Sequence, residues 1–431
     1  MTQNSPTPER PGETTPAHPG RRSFLIGAGT GAAATALAAT AATAATRTPA
    51  STTPVAAVAP AVPFHGANQA GVYRPADQQR QSCFAAFRIL ATDKAELKSL
   101  LQILTAQGTK LAAGVRAADP VPAEELPAIA GGPPLNSGVL GEDVPADSFT
   151  MTVGLSAGVF ENPAWDLAAK KPKGLTDMTV FPNDTPDPAW TGGDLVLALC
   201  ADSADTIHYA LREITKATRG MLALSWKING FHSAPRPAGA PRNLFGYKDG
   251  IVNPPQEDHL VWITKDSGQP DWAVGGTFMV VRLIRMLVEF WDRVGLGEQD
   301  GMIGRHRVSG APLGATHETD VPDYANDPDG QTIPLDAHIR LANPRTKATD
   351  ASRMLRRGYN YDLGVDLNGN LQAGLIFTSF QQDIARQFEA TQLRLVDEPM
   401  TDYIEPFGGG YFIALPGVVT PGNFLGEGLF T

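Results

Sequence analysis

Cysteine is nearly absent: the 431 residues contain only Cys83 and Cys200. That excludes a disulfide-stapled scaffold, which depends on several bridges. Both cysteines lie in apolar runs that read as strands, which favours buried, inert thiols, and a single bridge between them stays open. A surplus of positive charge is also missing. The 35 Lys and Arg are outnumbered by 45 Asp and Glu, a formal net charge of −10, and such a chain repels nucleic acid. A strongly apolar run of membrane-spanning length is lacking too. The stretch from Leu25 to Thr46 is mostly Ala, Thr and Gly, weakly apolar beside a Leu/Val span. What remains, 42% hydrophobic and 19% charged, is the composition of a globular chain long enough for two domains and a core that can enclose a cofactor.

The weak run gains meaning from what precedes it. Residues 1–20 are polar and Pro-rich, and Gly20-Arg-Arg-Ser-Phe-Leu-Ile26 then opens the run, the pattern of a twin-arginine signal. Small residues near 40–46 and Pro60-Ala-Val-Pro63 offer cleavage points. Residues 1–60 are therefore read as signal and linker, with the twin-arginine export machinery as a partner. The expected location is secreted, extracellular or cell-envelope associated, and periplasmic in a two-membrane host.

Beyond the linker, two passes of one pattern are visible. In residues 61–235, strand-like Cys83–Leu90 is followed by helix-like Asp93–Leu104, with Thr92 as its N-cap. Strands Phe149–Leu155 and Asp194–Cys200, a helix over Asp202–Thr218 and a strand over Gly220–Trp226 complete a β-α-β-β-α-β order, the ferredoxin-like unit. In such a unit the first and third strands are antiparallel neighbours, so Cys83 and Cys200 are placed to face each other. Residues 236–431 repeat the pattern less cleanly: strand Gly276–Arg285, helix Met286–Val294, strand Gly374–Phe380, helix Ile384–Leu393, strand Gly410–Leu415. Residues 298–373, rich in Asp, Pro and Gly, read as a long insertion; long irregular stretches in compact domains are usually functional or disordered, and His338 and Arg356 within this one favour the functional reading.

Three separated segments carry the chemistry: Gly246-Tyr-Lys-Asp-Gly250, His338-Ile-Arg-Leu-Ala-Asn-Pro-Arg345 and Met354-Leu-Arg-Arg-Gly358. An Asp-Gly pair alone is ordinary turn chemistry. All three in this order resemble the dye-decolourising (DyP-type) peroxidase family of haem enzymes. The resemblance runs from Pro63-Phe-His-Gly66 through Gly408-Gly-Gly-Tyr-Phe412 to the last residues, and the exported deferrochelatase/peroxidase-like branch is the part of the family it favours. It implies an α+β fold of two ferredoxin-like units, dimeric α+β barrel-like, with one haem b per chain bound mainly by the second. The implied activity is reduction of hydrogen peroxide through a ferryl intermediate and oxidation of aromatic donors such as dyes or phenolics. Deferrochelatase action, removing iron from haem, and non-catalytic haem binding are the alternatives, and a homo-oligomer stays open.

The same resemblance assigns roles. His338 is the proximal iron ligand, with His306 and His317 as fallbacks and His65 structural. Asp402 is the carboxylate that backs it, with Glu398 competing. Asp249 is the distal base and then acid, between glycines that let the backbone pass close to a porphyrin, and Asn253 hydrogen-bonds this loop. A carboxylate titrating near about 3.9 works as a base in acid, so dye oxidation is expected to favour acidic pH. Arg356 stabilises charge on the departing oxygen. Arg357, beside it, points the other way in an extended chain, and the two stand as alternatives. Arg340 and Arg345 are candidates for the haem propionates, and Leu375 and Phe377 for the apolar distal wall. Bulky donors would be oxidised at a surface Tyr or Trp, among them Trp262, Trp272, Tyr324, Tyr359, Tyr403 and Tyr411.

Overall fold

The structure, a computed structural model, describes residues 60–114, 136–141, 143–255 and 259–431. The twin-arginine segment lies outside them. Four strands come from the first half of the chain, β1 (Gln81–Ile89), β2 (Thr150–Leu155), β3 (Leu195–Ala201) and β4 (Leu222–Phe231). The second half adds β5 (Thr277–Met286), β6 (Leu355–Arg356), β7 (Tyr359–Val365), β8 (Leu371–Gln381) and β9 (Ile404–Ala414). The spatial order β2-β3-β1-β4 in the first half recurs as β7-β8-β5-β9 in the second, so each half has the ferredoxin-like arrangement. Short antiparallel seams join them, Gly154 to Ala414 and Gly230 to Tyr361. Eight strands thus close into a barrel without free edges, and β6 hangs on β8 as a two-residue flap.

Strand alternation sorts the core into two layers. Cys83, Ala85 and Phe87 of β1 pack outward with Leu97, Leu100, Leu101 and Leu104 of helix α1 (Lys94–Ala113). Phe84 and Ala86 turn into the barrel with Trp226, Ile228 and Phe412. Helix α2 (Ala204–Ala217) covers the same outer face. Because both faces of the sheet are covered, β3 reads as an unbroken buried apolar run. Asp93, not Thr92, caps α1: its carboxylate accepts from the Ala95 and Glu96 amides at 2.8 and 2.9 Å, while the Thr92 amide donates to Glu96 Oε2 at 2.7 Å.

The same alternation rules out a bridge between the cysteines and leaves the favoured reading of two buried thiols. Ser82 is opposite Cys200, and Cys83 is opposite Leu199. This offset of one residue sends Cys83 to the helix-covered layer and Cys200 into the barrel, and both thiols are free. Burial pushes the Cys83 thiol up to about 12 and raises that of Cys200 as well, so neither supplies thiolate near neutrality. Iodoacetamide followed by mass spectrometry should find neither cysteine alkylated in the folded protein. Both should be alkylated after unfolding without reductant, whereas a requirement for reductant would show a bridge.

The supposed insertion is shorter than residues 298–373, because β6, β7 and the start of β8 lie within it. The helix expected over Met286–Val294 is a single turn, Val288–Trp291, and helix α3 (Leu296–Ile303) follows it. Helix α4 (His338–Ala342) packs on the end of α3, where Gly304, at φ 87°, ends the helix in the left-handed region. A Cβ there would come within 2.7 Å of Ile339 Cγ1. Near the C-terminus a wide π turn, Ile384–Glu389, precedes helix α5 (Ala390–Arg394). Among the described residues no helix is long and apolar enough to cross a membrane.

Candidate functional site

A cavity of about 260 Å³ lies between the outer face of the second half's sheet and the helical segments laid over it. Arg282 sits directly opposite Phe377, and Ile284 opposite Leu375. Directly paired residues share a face, and these four form one wall. His338, Phe388, Leu395 and Met400 line the cavity from the helical side. Six cationic side chains also reach it, Lys248, Arg282, Arg305, Arg345, Arg353 and Arg356, against the carboxylates of Asp249 and Glu398. In a chain of net charge −10, that is a local reversal of sign which favours an anionic ligand.

On the helical side, His338 Nδ1 lies 2.7 Å from Glu398 Oε2. Glu398 is 3% exposed. Its backbone carbonyl accepts from the Thr401 hydroxyl at 2.7 Å, at the start of the short 3-10 turn Pro399–Tyr403. Burial disfavours the charged imidazole, yet the charge and hydrogen bond of Glu398 outweigh it and raise the His338 pKa. With Nδ1 committed, the other ring nitrogen is left for a metal, and a carboxylate behind the ring strengthens ligand basicity. The backing carboxylate is therefore Glu398 and not Asp402. Asp402 is exposed and absent from the cavity wall, because the turn carries it to the solvent side.

On the sheet side, Arg356 Nη1 donates to Asp249 Oδ1 at 3.1 Å, and the Gly250 amide donates to the same oxygen at 2.7 Å. Asn253 fixes Arg356 rather than touching the cavity. Its side chain accepts from the Arg356 amide and donates to the Arg356 carbonyl, each at 3.0 Å. The Arg356/Arg357 alternative resolves as extended geometry requires: Arg357 is buried on the opposite side, donating to the Pro75 carbonyl at 3.2 Å and Gln79 Oε1 at 3.3 Å.

Arg340 does not reach the cavity. Its guanidinium is taken up by Asp327 Oδ2 at 3.0 Å, the Asp327 carbonyl at 2.6 Å and the Ile333 carbonyl at 2.8 Å. Arg345 does line it, turned by a left-handed backbone at φ 56°. His306 pairs with Asp300 at 3.3 Å, His317 is exposed, and neither lines the cavity. His65 approaches the Val418 carbonyl at 3.2 Å, a structural contact. Of the aromatic candidates, Tyr359 and Tyr411 are buried and Tyr324 lines the cavity. Sequence reasoning passed over Arg282 and Arg305. Arg282 carried a signal, as a lone cation in the centre of Thr277-Phe-Met-Val-Val-Arg-Leu-Ile284. It is fully buried, ion-paired with Asp184 and set between the rings of Phe181 and Phe388.

Several buried donors on this wall have no partner among the described residues: the Tyr324 hydroxyl, Arg345 Nε, and Arg282 Nε and Nη1. An apolar interior, unpaired donors and a backed imidazole suit a flat, apolar iron chelate that carries carboxylates. The class of protein so defined is a haem protein. The chain belongs to the DyP-type peroxidase family. The model of that family's N-terminal part matches residues 69–232, and that of its C-terminal part residues 240–419. Two proteins named deferrochelatase, from Shigella flexneri serotype 5b and Escherichia coli strain K12, are each 46% identical over 376 residues. The match covers 85% of this chain and 87% and 86% of those proteins. The DyP-type peroxidase structure from Cellulomonas bogoriensis is 32% identical with a TM-score of 0.74, covering 86% of this chain and 98% of that one. Ferric DtpA from Streptomyces lividans is 28% identical with a TM-score of 0.75, over 86% and 97%. The fold expected from sequence, the family and its haem cofactor therefore stand.

Proposed function

We propose that this chain is an exported haem peroxidase in which His338, backed by Glu398, holds the iron while Asp249 and Arg356 handle the peroxide. Family membership gives the enzyme class, hydrogen peroxide and a reducing substrate. The single observation that carries the residue roles is the 3.1 Å contact of Arg356 with Asp249 in a cavity that His338 and Glu398 line from the helical side.

Held by His338, a bound haem would supply the redox chemistry that couples peroxide reduction to oxidation of the donor. The protein's task is proton movement and charge stabilisation. Cleavage of hydrogen peroxide needs a proton taken from one of its oxygens and given to the other. Asp249 Oδ1 is occupied by Gly250 and Arg356, so Oδ2 is the atom assigned to both transfers. Arg356, anchored through its backbone by Asn253, presents fixed positive charge to the departing oxygen. Leu375 and Phe377 exclude water from the wall beside them.

Absorption spectra of haem-reconstituted protein, before and after one equivalent of peroxide, test this reading. Wild type should show a Soret band that changes with peroxide, and His338→Ala should lose the normal ligation. A wild type that takes up no haem would sink the assignment. The aromatic donor and export belong to the proposal. Export predicts that replacing Arg21 and Arg22 together by Lys retains the protein in the cytoplasm, followed by fractionation.

A second reading has its own support in the relatives named deferrochelatase at 46% identity. The same His338 and cationic wall that retain haem would hold it while iron is released. Anaerobic incubation with haem, followed by porphyrin fluorescence, separates the two. Metal-free porphyrin would favour the second reading, and its absence alongside peroxide turnover the first.

A further inference from the structure

We propose that Tyr324 completes a carboxylate-binding site with Arg345 and Arg305 at the insertion end of the cavity, and that the carboxylate it takes belongs to the tetrapyrrole. The inference rests on the haem reading and assigns the part of the pocket that meets the polar edge of the ligand.

Tyr324 lies in the Asp- and Pro-rich stretch between α3 and α4, where its hydroxyl is buried beside the cavity, next to the Arg345 guanidinium and without an acceptor among the described residues. Arg345 Nε is in the same condition, although an unpaired buried donor is costly. Arg305 is 6% exposed, anchored through Nη1 to the carbonyls of Gly310 at 2.6 Å and Glu318 at 2.9 Å. Arg340 lies over the Tyr324 ring, 4.8 Å from its centroid, and is itself locked by Asp327 and Ile333. Arg340 is thus a positioning residue for the tyrosine.

The local carboxylates are already engaged. Glu318 turns to Lys248 and the Ala240 amide, and Asp327 to Arg340 and the Thr332 and Ile333 amides. Burial raises the phenol's pKa, and Arg345, Arg305 and Arg340 together do not reverse it. The tyrosine is therefore a neutral O–H donor among guanidinium groups, with no acceptor supplied by the described protein. A carboxylate satisfies the hydroxyl and the free Nε together and relieves repulsion between the cations. The apolar wall leading away from this point suits a ligand that is hydrophobic in its body and anionic at one edge.

The test is haem release to excess apomyoglobin, followed in the Soret band, for wild type and Tyr324→Phe. Each is loaded with haem or with haem dimethyl ester, which has no free carboxylates. Because the hydroxyl has no acceptor without ligand, Tyr324→Phe should leave the unfolding midpoint of the haem-free protein nearly unchanged. It should release haem about tenfold faster than wild type and release the ester at the wild-type rate. Arg345→Gln should act in the same direction, and combining the two should fall short of the product of the single effects, as expected for groups sharing one carboxylate. Equal release of haem by wild type and Tyr324→Phe overturns the proposal. An equal acceleration for haem and ester also overturns it, because the tyrosine would then act through packing. A wild type that binds no haem removes the haem reading and this inference together.

Discussion

Haem-reconstituted Arg356→Leu and Asp249→Asn are expected to load cofactor as wild type does, yet to respond to one equivalent of peroxide about 10²- to 10⁴-fold more slowly. Stopped-flow absorbance in the Soret region is the measurement. Asn keeps the shape of Asp249 and its contact with the Gly250 amide but cannot take the proton. Leu removes both the charge near the departing oxygen and the donor that holds Asp249 Oδ1. Since the two side chains touch, the double variant should be little slower than the worse single one. Arg357→Leu is the control. Its guanidinium faces Pro75 and Gln79 on the other side of the strand, so its loss should lower stability and leave the peroxide step near the wild-type rate. Equal slowing by Arg357→Leu would mean that the pair had been misread. Asn253→Ala should have a smaller effect than either direct substitution, because it only loosens the backbone from which Arg356 extends.

Much of this was legible in the chain because the elements that build it are local. Buried apolar runs gave β1, β3 and β5, and helical spacing gave α1 and α2. Strand β7 escaped notice because Asp362, Leu363, Gly364 and Val365 are exposed and break the apolar pattern. Its evidence was the inward alternation of Tyr359 and Tyr361. The barrel itself comes from two short seams with no local signature. Arg340 fails as a cavity residue for a reason that becomes visible once the segment is known to be helical. Residues two apart on a helix lie about 200° apart around its axis, so with His338 turned to the cavity, Arg340 must turn away. Cys83 and Cys200 show the corresponding rule for sheets, where a register offset of one sends side chains to opposite faces. Tyr324 and Arg305 sit in a stretch without periodicity, and nothing before the folded chain brings them beside Arg345.

Glu398→Gln is expected to weaken haem retention about 10- to 100-fold, the usual cost of losing the group behind a metal-bound histidine, while Asp402→Asn leaves it unchanged. Three residues separate these carboxylates, and the turn between them decides which one works. Pro399 starts the 3-10 turn, which leaves Glu398 just before it on extended backbone with its side chain buried against His338. Asp402 lies near the far end of the turn, in solvent. Glutamine can still meet Nδ1, so the ring stays oriented and what disappears is the negative charge. In wild type that charge and its hydrogen bond override burial and raise the basicity of the imidazole. Without them burial prevails, and the imidazole becomes a weaker electron donor. A weaker donor stabilises ferric iron less, so the reduction potential of the Glu398→Gln variant should shift to more positive values. Spectroelectrochemical titration of wild type, Glu398→Gln and Asp402→Asn reads this directly, independently of turnover. A positive shift confined to Glu398→Gln is the expected pattern. A shift in Asp402→Asn, or none in Glu398→Gln, would place the controlling charge elsewhere.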